Sequence, residues 1–162
     1  MTTAHLPRLG HTLRDLLFAR RFAALGTLDA SGGVFVSMVP YAIDTATRRL
    51  VLHVSGLAAH TGHMQAEPRV SLLVTGANQP GEPVHDLPRV TLQALAGTPE
   101  LGSDAWASAR AAYLQRFPEA EPMTALPDFR FVTLELTGAR QVAGFGSARS
   151  VSADEMAQVL SA

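Results

Sequence analysis

The side chains best suited to bind an anion lie together between residues 50 and 63. An apolar stretch typical of a β-strand, Leu50 to Val54, leads through Ser55 and Gly56 into a short helical pattern that carries His60, Thr61 and His63. The first amides of a helix have no partner within the helix, so a strand that delivers a small hydroxyl residue to a helix can bind phosphate. A nearby histidine adds a charge-assisted hydrogen bond when it is protonated. The segment therefore predicts an anion site.

The same residues also have simpler interpretations. Ser55 has the residue type of a helix cap, a role that small hydroxyl residues often fill. His60 and His63 are three positions apart on one helical face, and Glu67 lies four positions beyond His63. That spacing is compatible with a metal site, but two solvated imidazoles are the commoner arrangement, so no metal site is predicted.

The elements that must hold this corner are short strands joined by tight turns. An amphipathic helix is predicted to begin near Leu9 and to end near Phe22, and further helices are predicted after Ser103 and after Ser152. Six strands are predicted, at residues 23–28, 34–43, 49–54, 70–75, 90–96 and 129–136. Because the first three follow one another through tight turns, they form an antiparallel meander. The predicted fold class is mainly β (α+β), a partly closed six-stranded antiparallel β-barrel with flanking helices.

Alternation along the third predicted strand sorts its side chains between two faces. His53 and Ser55 share one face, whereas Leu50, Leu52 and Val54 share the other. We expect the apolar row to face the barrel interior. His53 and Ser55 would then line an outer groove beside the corner.

The composition restricts the classes of protein to which the chain can belong. Its 162 residues fit a single domain, predicted to span residues 1–162, and 47% of them are hydrophobic, enough for a sizeable core. A formal net charge of -1 argues against a nucleic-acid surface or a polybasic membrane anchor. The absence of Cys excludes disulfides and thiolate chemistry. Since the sequence has neither an apolar run of membrane-spanning length nor a secretory signal pattern, we expect a cytoplasmic protein without membrane partners.

Four segments occur in a specific order along the chain, namely Ser37–Tyr41, Leu52–Thr61, Pro88–Gln93 and Leu126–Phe129. Together they resemble the FMN-binding split-barrel proteins related to pyridoxamine 5'-phosphate oxidase, in particular the branch that includes haem-utilisation proteins. The resemblance covers roughly residues 9–150 and rests on the order and spacing of the segments, since each motif is weak alone. It implies a split β-barrel and a homodimer with two FMN sites at the subunit interface.

The resemblance also implies roles for individual residues. The backbone of the second strand would meet the edge of the flavin ring, at Val36, Ser37, Met38 and Val39. The corner after the third strand would hold the phosphate, through Ser55, Leu57, His60 and Thr61. Candidates to hold the flavin or the phosphate from the side are Arg89 and Gln93, and Asp128 has an implied place near the ligand. Family members often carry basic residues at the corner, where this chain has Gly56-Leu57-Ala58, so phosphate binding would depend on amides, hydroxyls and His60.

Three functions are compatible with these residues. A flavin oxidoreductase needs no acid–base residue, because FMN carries the redox chemistry; no catalytic residue is predicted, and a non-enzymatic FMN-binding protein is an alternative. A true pyridoxamine 5'-phosphate oxidase is disfavoured, since the Arg-rich carboxyl-terminal segment of that enzyme has no counterpart in the ending SVSADEMAQVLSA. Haem binding without flavin would need an axial ligand from His53, His60, His63 or His85. The main prediction is an FMN-dependent oxidoreductase whose small-molecule substrate the sequence does not identify.

Overall fold

A computed structural model describes residues 5–162 of the chain. Within that range the chain forms four α-helices, eight strands and two short 3-10 helices. The α-helices are α1 (Arg8–Ala19), α2 (Ala59–Ala66), α3 (Asp104–Arg116) and α4 (Ala153–Val159). The strands are β1 (Phe22–Leu28), β2 (Val34–Pro40), β3 (Ala42–Asp44), β4 (Arg49–Ser55), β5 (Arg69–Thr75), β6 (Arg89–Gly97), β7 (Phe129–Val142) and β8 (Ala148–Ser152). The 3-10 helices are Val84–Asp86 and Pro118–Ala125.

All of these strands belong to one antiparallel sheet. Seven of them follow the order β2-β1-β5-β6-β7-β4-β3, and β8 pairs with the carboxyl-terminal part of β7. Strand β2 also contacts β4, so the sheet curls into a partly closed barrel with flanking helices. The predicted fold class is therefore confirmed.

The predicted number of strands is wrong, because the run at residues 34–43 divides into two strands at Tyr41. Strand β2 pairs with β1, whereas β3 pairs with β4. The Tyr41 side chain is completely buried, and its hydroxyl donates to the Leu17 carbonyl at 2.6 Å, so Tyr41 anchors the chain where it changes partner. The prediction also lacks β8, whose short and mostly polar sequence ARSVS pairs only with β7.

The turn between β1 and β2 fixes the register of the second strand. The Asp29 carboxylate accepts hydrogen bonds from the amides of Ser31 and Gly33, at 2.9 and 2.7 Å. Ser37 consequently lies opposite Leu25, whose side chain is in the barrel interior. Because directly paired residues of an antiparallel sheet share a face, Ser37 points towards the interior side of the sheet.

The hydrophobic core lies in two parts. The larger part fills the barrel interior between the sheet and the helices α1 and α4, and the apolar row Leu50, Leu52 and Val54 faces it as predicted. The smaller part lies between α3 and the opposite face of β4 and β7, where Tyr113 packs near Phe131. In residues 5–162 no helix has the length and the apolar character that crossing a membrane requires.

Candidate functional site

Helix α2 is attached to the first two strands by two hydrogen bonds between an imidazole and a hydroxyl. The Ser37 Oγ on β2 lies 2.9 Å from Nδ1 of His60, and the Thr27 Oγ1 on β1 lies 2.9 Å from Nδ1 of His63. The Phe35 ring on β2 packs edge-on against the His63 ring, with centroids 5.2 Å apart. Helix α2 thereby brings His60 of the corner to Ser37 of the second strand, although the two residues are 23 positions apart in the sequence.

Each of these hydrogen bonds leaves the second ring nitrogen of its histidine free. Among the described residues, Nε2 of His60 and Nε2 of His63 have no hydrogen-bond partner, and neither atom is buried. Burial and the neighbouring His63 lower the pKa of His60 below its ordinary value, so the ring is neutral at about pH 7. A neutral His60 can donate Nε2–H to an anion while Nδ1 accepts from Ser37, or present Nε2 to a metal while Nδ1–H donates to Ser37.

The corner after β4 is organised by Ser55, although Ser55 is not the cap of the helix. Its Oγ accepts from the Leu57 amide at 3.1 Å and donates to the Asp128 carboxylate at 3.5 Å. The N-cap of α2 is Ala58, whose side chain makes no capping hydrogen bond. Thr61 is buried, and its hydroxyl donates to the Ser55 carbonyl at 2.6 Å. Thr61 therefore maintains the shape of the corner, and the Ser55 hydroxyl is one of the polar groups at its surface.

The structure places a basic residue at the Ser55 corner (residues 55–61) that the sequence analysis missed. Arg130 is opposite Val54 in the pairing of β4 with β7. A Cβ atom added to Gly56 would lie 2.5 Å from Nη2 of Arg130 and 3.0 Å from the Asp128 carbonyl oxygen. The guanidinium thus lies against the backbone of Gly56. No local sequence pattern could have indicated this, because only the β4–β7 pairing brings Arg130 to the corner.

Two other predicted site residues, Val36 and Gln93, lie in one row on the outer face of the sheet. Val36, Gly26, Ser71 and Gln93 are opposite one another in the successive strands β2, β1, β5 and β6. This row, the outer platform, extends into a cavity of about 440 Å³ that Gly26, Ser71 and Gln93 line. Because Gly26 has no side chain and Ser71 has a small one, no large side chain occupies the cavity at these two positions.

The remaining second-strand candidates are on different faces of β2. Met38 is 63% exposed and lies on the outer face beside the outer platform. Val39 is 2% exposed and belongs to the core of the barrel, so only its backbone can contact a ligand. Within one chain the candidates therefore divide between two separate regions, the outer platform on β2, β1, β5 and β6 and the Ser55 corner after β4.

Arg89 lies away from the cavity that Gln93 lines. Its Nη1 donates to the carbonyls of Leu87 and His85, at 2.9 and 3.3 Å, in the loop before β6. It lies four positions before Gln93 along β6, which is about 13 Å at the usual rise of a strand. In this structure Arg89 stabilises its own loop.

The outer groove that was predicted to be lined by His53 and Ser55 does not reach His53, because α3 and neighbouring aromatic residues cover that face. The ring centroids of Phe131, Phe129 and Tyr113 are 4.6, 5.2 and 5.6 Å from that of His53. Within the described range Nδ1 of His53 is buried without a hydrogen-bond partner, and burial lowers the pKa of this residue. His85, by contrast, is exposed in the first 3-10 helix.

These features suit the binding of a planar ligand that carries an anionic group. At the Ser55 corner a hydroxyl, a free imidazole nitrogen and a guanidinium are available to an anion. The outer platform and its cavity offer a surface to a planar, largely apolar group. Among residues 5–162 no cluster of three or more His, Asp or Glu side chains could hold a metal ion.

Comparisons with known proteins agree with the fold. A family model described as pyridoxamine 5'-phosphate oxidase matches residues 9–143. Among curated proteins, the heme oxygenase HutZ of Vibrio cholerae serotype O1 is 28% identical over 150 residues, which cover 92% of this chain and 84% of that protein. A heme binding protein from Mycobacterium smegmatis has a solved structure that matches with a TM-score of 0.84 at 28% identity, over 95% of this chain and 62% of that one. The solved structure of HutZ, a heme storage protein from Vibrio cholerae, matches with a TM-score of 0.72 at 23% identity, over 90% of this chain and 96% of that one.

Proposed function

The chain belongs to the pyridoxamine 5'-phosphate oxidase family, and on that premise we propose that it is an FMN-binding flavoprotein. FMN has a planar ring system, which suits the outer platform, and an anionic phosphate, which suits the Ser55 corner. We further propose that the protein is an oxidoreductase that acts on a small molecule and that its cofactor lies between the two subunits of a homodimer.

The observation that carries the proposal is the hydrogen bond between Ser37 and His60. The resemblance to FMN-binding split-barrel proteins implies that the second strand meets the flavin ring and that the corner holds the phosphate. Those two segments are distant in the sequence, and the hydrogen bond joins them at 2.9 Å. The backbone of β2 and the free Nε2 of His60 are thereby held at a fixed separation, as two ends of one rigid ligand require.

The Ser55 corner offers hydrogen-bond donors that suit a phosphate group. The Ser55 hydroxyl donates to Asp128 at 3.5 Å, near the long limit of a hydrogen bond, so it can turn to a stronger acceptor at little cost. Nε2 of His60 has no competing partner among the described residues. Gly56 has no side chain, which allows the Arg130 guanidinium to lie against the backbone of the corner.

A second copy of this chain is the proposed occupant of the free edge of the sheet. Strand β2 is the last strand in the order, and Val34, Val36 and Met38 on it are 79%, 65% and 63% exposed. An unpaired edge with large apolar side chains favours association with another surface. Because the outer platform and the Ser55 corner are separate regions of one chain, a site between two copies would let one cofactor contact both.

The residues of the chain would bind and orient the cofactor. FMN, when bound, supplies the redox chemistry. Ser55 and His60 would hold the phosphate, and the Gln93 side-chain amide offers a donor and an acceptor to the polar edge of the ring. Val36 and Met38 would keep water from one face of the ring through their exposed apolar side chains. No residue is assigned the role of an acid or a base.

The experiment that tests this proposal is a pair of titrations of the purified protein with FMN and with riboflavin, followed by flavin fluorescence. We expect both to bind and FMN to bind more tightly, because only FMN carries a phosphate. Failure of the protein to bind either flavin would overturn the proposal.

Haem binding is a second candidate function, favoured by the relatives and by two free imidazole nitrogens. The proteins with 28% identity to this chain are a heme oxygenase and a heme binding protein. In His60 and His63 a hydroxyl group at Nδ1 orients the ring, and the Nε2 atom is accessible. A histidine that binds iron has the same arrangement. His53 is poorly suited, because the aromatic cluster encloses it.

The haem alternative is tested by adding ferric haem and recording the absorption spectrum. A Soret band that is lost in the His60→Ala, His63→Ala double variant, but kept in His85→Ala, would support this alternative. Absence of any shift in the haem spectrum with the wild-type protein would exclude it.

A further inference from the structure

We propose that Arg130 is an anion-binding residue of the Ser55 corner and that it binds the phosphate of the cofactor, an inference that rests on the proposed function. The corner itself contains no Lys or Arg between residues 55 and 61. A phosphate held there by hydroxyls and one neutral imidazole alone would lack a positively charged partner. Arg130 supplies that charge from a different strand.

The position of the guanidinium depends on the glycine in the corner. A Cβ on residue 56 would lie 2.5 Å from Nη2 of Arg130, closer than non-bonded atoms approach one another. Any other residue at position 56 would therefore displace the guanidinium or the corner backbone. Gly56 and Arg130 are two parts of one arrangement, in which β7 supplies the charge that the corner sequence lacks.

The guanidinium of Arg130 is not engaged in holding the fold. Arg14 and Arg116 donate to backbone carbonyls at 2.6 and 2.9 Å, and Arg149 donates to the Glu155 carboxylate at 2.8 Å. Within residues 5–162 the Arg130 side chain makes no hydrogen bond and no ion pair, and none of its unpartnered nitrogen atoms is buried. A planar guanidinium with free donors is well suited to phosphate, which it can bind through two parallel hydrogen bonds.

A ligand has access to this guanidinium. Arg130 lines a cavity of about 280 Å³ between α2 and the strands β6 and β7, together with Thr61 and Gln65 of the helix. The cavity is large enough for a phosphate group and its water. Arg130 is thus reachable from solvent while its β7 backbone is fixed by pairing with Val54.

Asp128 provides the contrast that makes the proposal testable. Its carboxylate accepts from the Ser55 hydroxyl at 3.5 Å, so in the free protein an internal anion lies beside the corner. A phosphate that takes the Ser55 hydroxyl must replace this contact and must tolerate the negative charge. Removal of the Asp128 charge is therefore expected to strengthen phosphate binding, whereas removal of the Arg130 charge weakens it.

The test measures the dissociation constants of FMN and riboflavin for the wild type, Arg130→Gln, Arg130→Lys and Asp128→Asn, with folding checked by thermal unfolding. We expect Arg130→Gln to weaken FMN by about 10- to 100-fold, the usual effect of losing a hydrogen bond to a charged group. Riboflavin binding should not change, Arg130→Lys should lie between wild type and Arg130→Gln, and Asp128→Asn should tighten FMN alone. The matched control is Arg49→Gln, since Arg49 is at the opposite end of β4 and pairs with the exposed Glu135.

A second probe separates this inference from the proposed function. Inorganic phosphate is titrated into isotope-labelled protein, and the amide signals of Gly56 and Leu57 are followed by NMR. Signals that move in the wild type but not in Arg130→Gln would support the inference even if FMN does not bind, in which case only the proposed function fails. Equal movement in both proteins, no movement in the wild type, or equal loss of FMN and riboflavin affinity in Arg130→Gln would overturn the inference.

Discussion

The Oγ atom of Ser37 lies 2.9 Å from Nδ1 of His60, which fixes the second strand of the sheet to the helix that follows the Ser55 corner. The contact orients the imidazole and leaves its Nε2 free among the described residues. Since the Ser37 hydroxyl can either donate or accept, the same geometry serves a ring that donates to phosphate and a ring that binds a metal. Which cofactor binds therefore depends on the residues that surround Ser37 and His60.

The phosphate end of the site is tested by combining Ser55→Ala with His60→Ala. We expect the double variant to bind FMN about 10- to 100-fold more weakly than the wild type, because two donors to a charged group are lost. Riboflavin, which has no phosphate, should bind with little change. Fluorescence titrations with the two flavins measure both constants, and His11→Ala on the exposed side of α1 is the control for loss of an imidazole. Equal loss of affinity for both flavins would place the phosphate elsewhere.

The outer platform is tested by Gln93→Leu, which removes a polar side chain from the cavity and keeps a similar volume. We expect FMN and riboflavin to weaken together by about 3- to 10-fold, as for one neutral hydrogen bond to the ring. The same titrations provide the measurement, and Gln158→Leu on α4 is the matched control. A loss confined to FMN would contradict the assignment of Gln93 to the ring.

The proposed subunit interface is tested by Met38→Glu on the free edge of β2. A carboxylate placed among Val34, Val36 and a second copy of the chain cannot be buried without a large desolvation cost. We therefore expect the variant to sediment as a monomer at concentrations at which the wild type is a dimer. Leu101→Glu, at a residue that is 81% exposed in the turn before α3, is the control and should leave the dimer intact. A wild-type protein that is itself monomeric would refute the interface.

The stability of the protein is expected to fall as the solution becomes acidic, in part because of His53. Burial lowers the pKa of His53, so below about pH 6.5 the unfolded chain binds a proton that the folded chain resists. The contribution of His53 is present above about pH 6.5 and is lost as the pH falls through its lowered pKa. His53→Phe keeps a ring beside Phe129 and Phe131 and removes the unpartnered Nδ1. We expect a gain of about 1 kcal/mol in the free energy of unfolding at neutral pH and a larger gain at low pH.

Urea denaturation at several pH values measures this effect. His85→Phe, in an exposed 3-10 helix, is the control for the substitution itself. A pH dependence that is the same in His53→Phe and in the wild type would show that His53 is not among the groups that destabilise the acidic protein.

The strands could be predicted from the sequence where local pattern alone determines them. Alternation identified the inward row that contains Leu50, Leu52 and Val54, and the turn at Asp29 identified the first hairpin. The division of the second predicted strand at Tyr41 could not be predicted, because it arises from pairing with two different strands and from a hydrogen bond to Leu17. Such contacts are set by tertiary structure, which local periodicity does not report.

In the candidate site, too, local sequence determines some features and tertiary structure determines others. The polar residues of the Ser55 corner could be identified from residue types, whereas the Ser37–His60 contact and the approach of Arg130 to Gly56 required the pairing of distant strands. The open groove expected beside His53 is filled because α3 supplies Tyr113 from far along the chain. Arg89 was a reasonable candidate by residue type, but its guanidinium donates to the adjacent loop.

The most direct test of the central claim is the visible absorption spectrum of the protein after incubation with excess FMN and removal of unbound ligand. We expect a yellow protein that retains about one FMN for each subunit and that retains less FMN when Ser55 and His60 are both changed to Ala. A protein that stays colourless after the same treatment would contradict the proposal that it binds FMN. That conclusion would hold whether or not a separate addition of haem produces a Soret band.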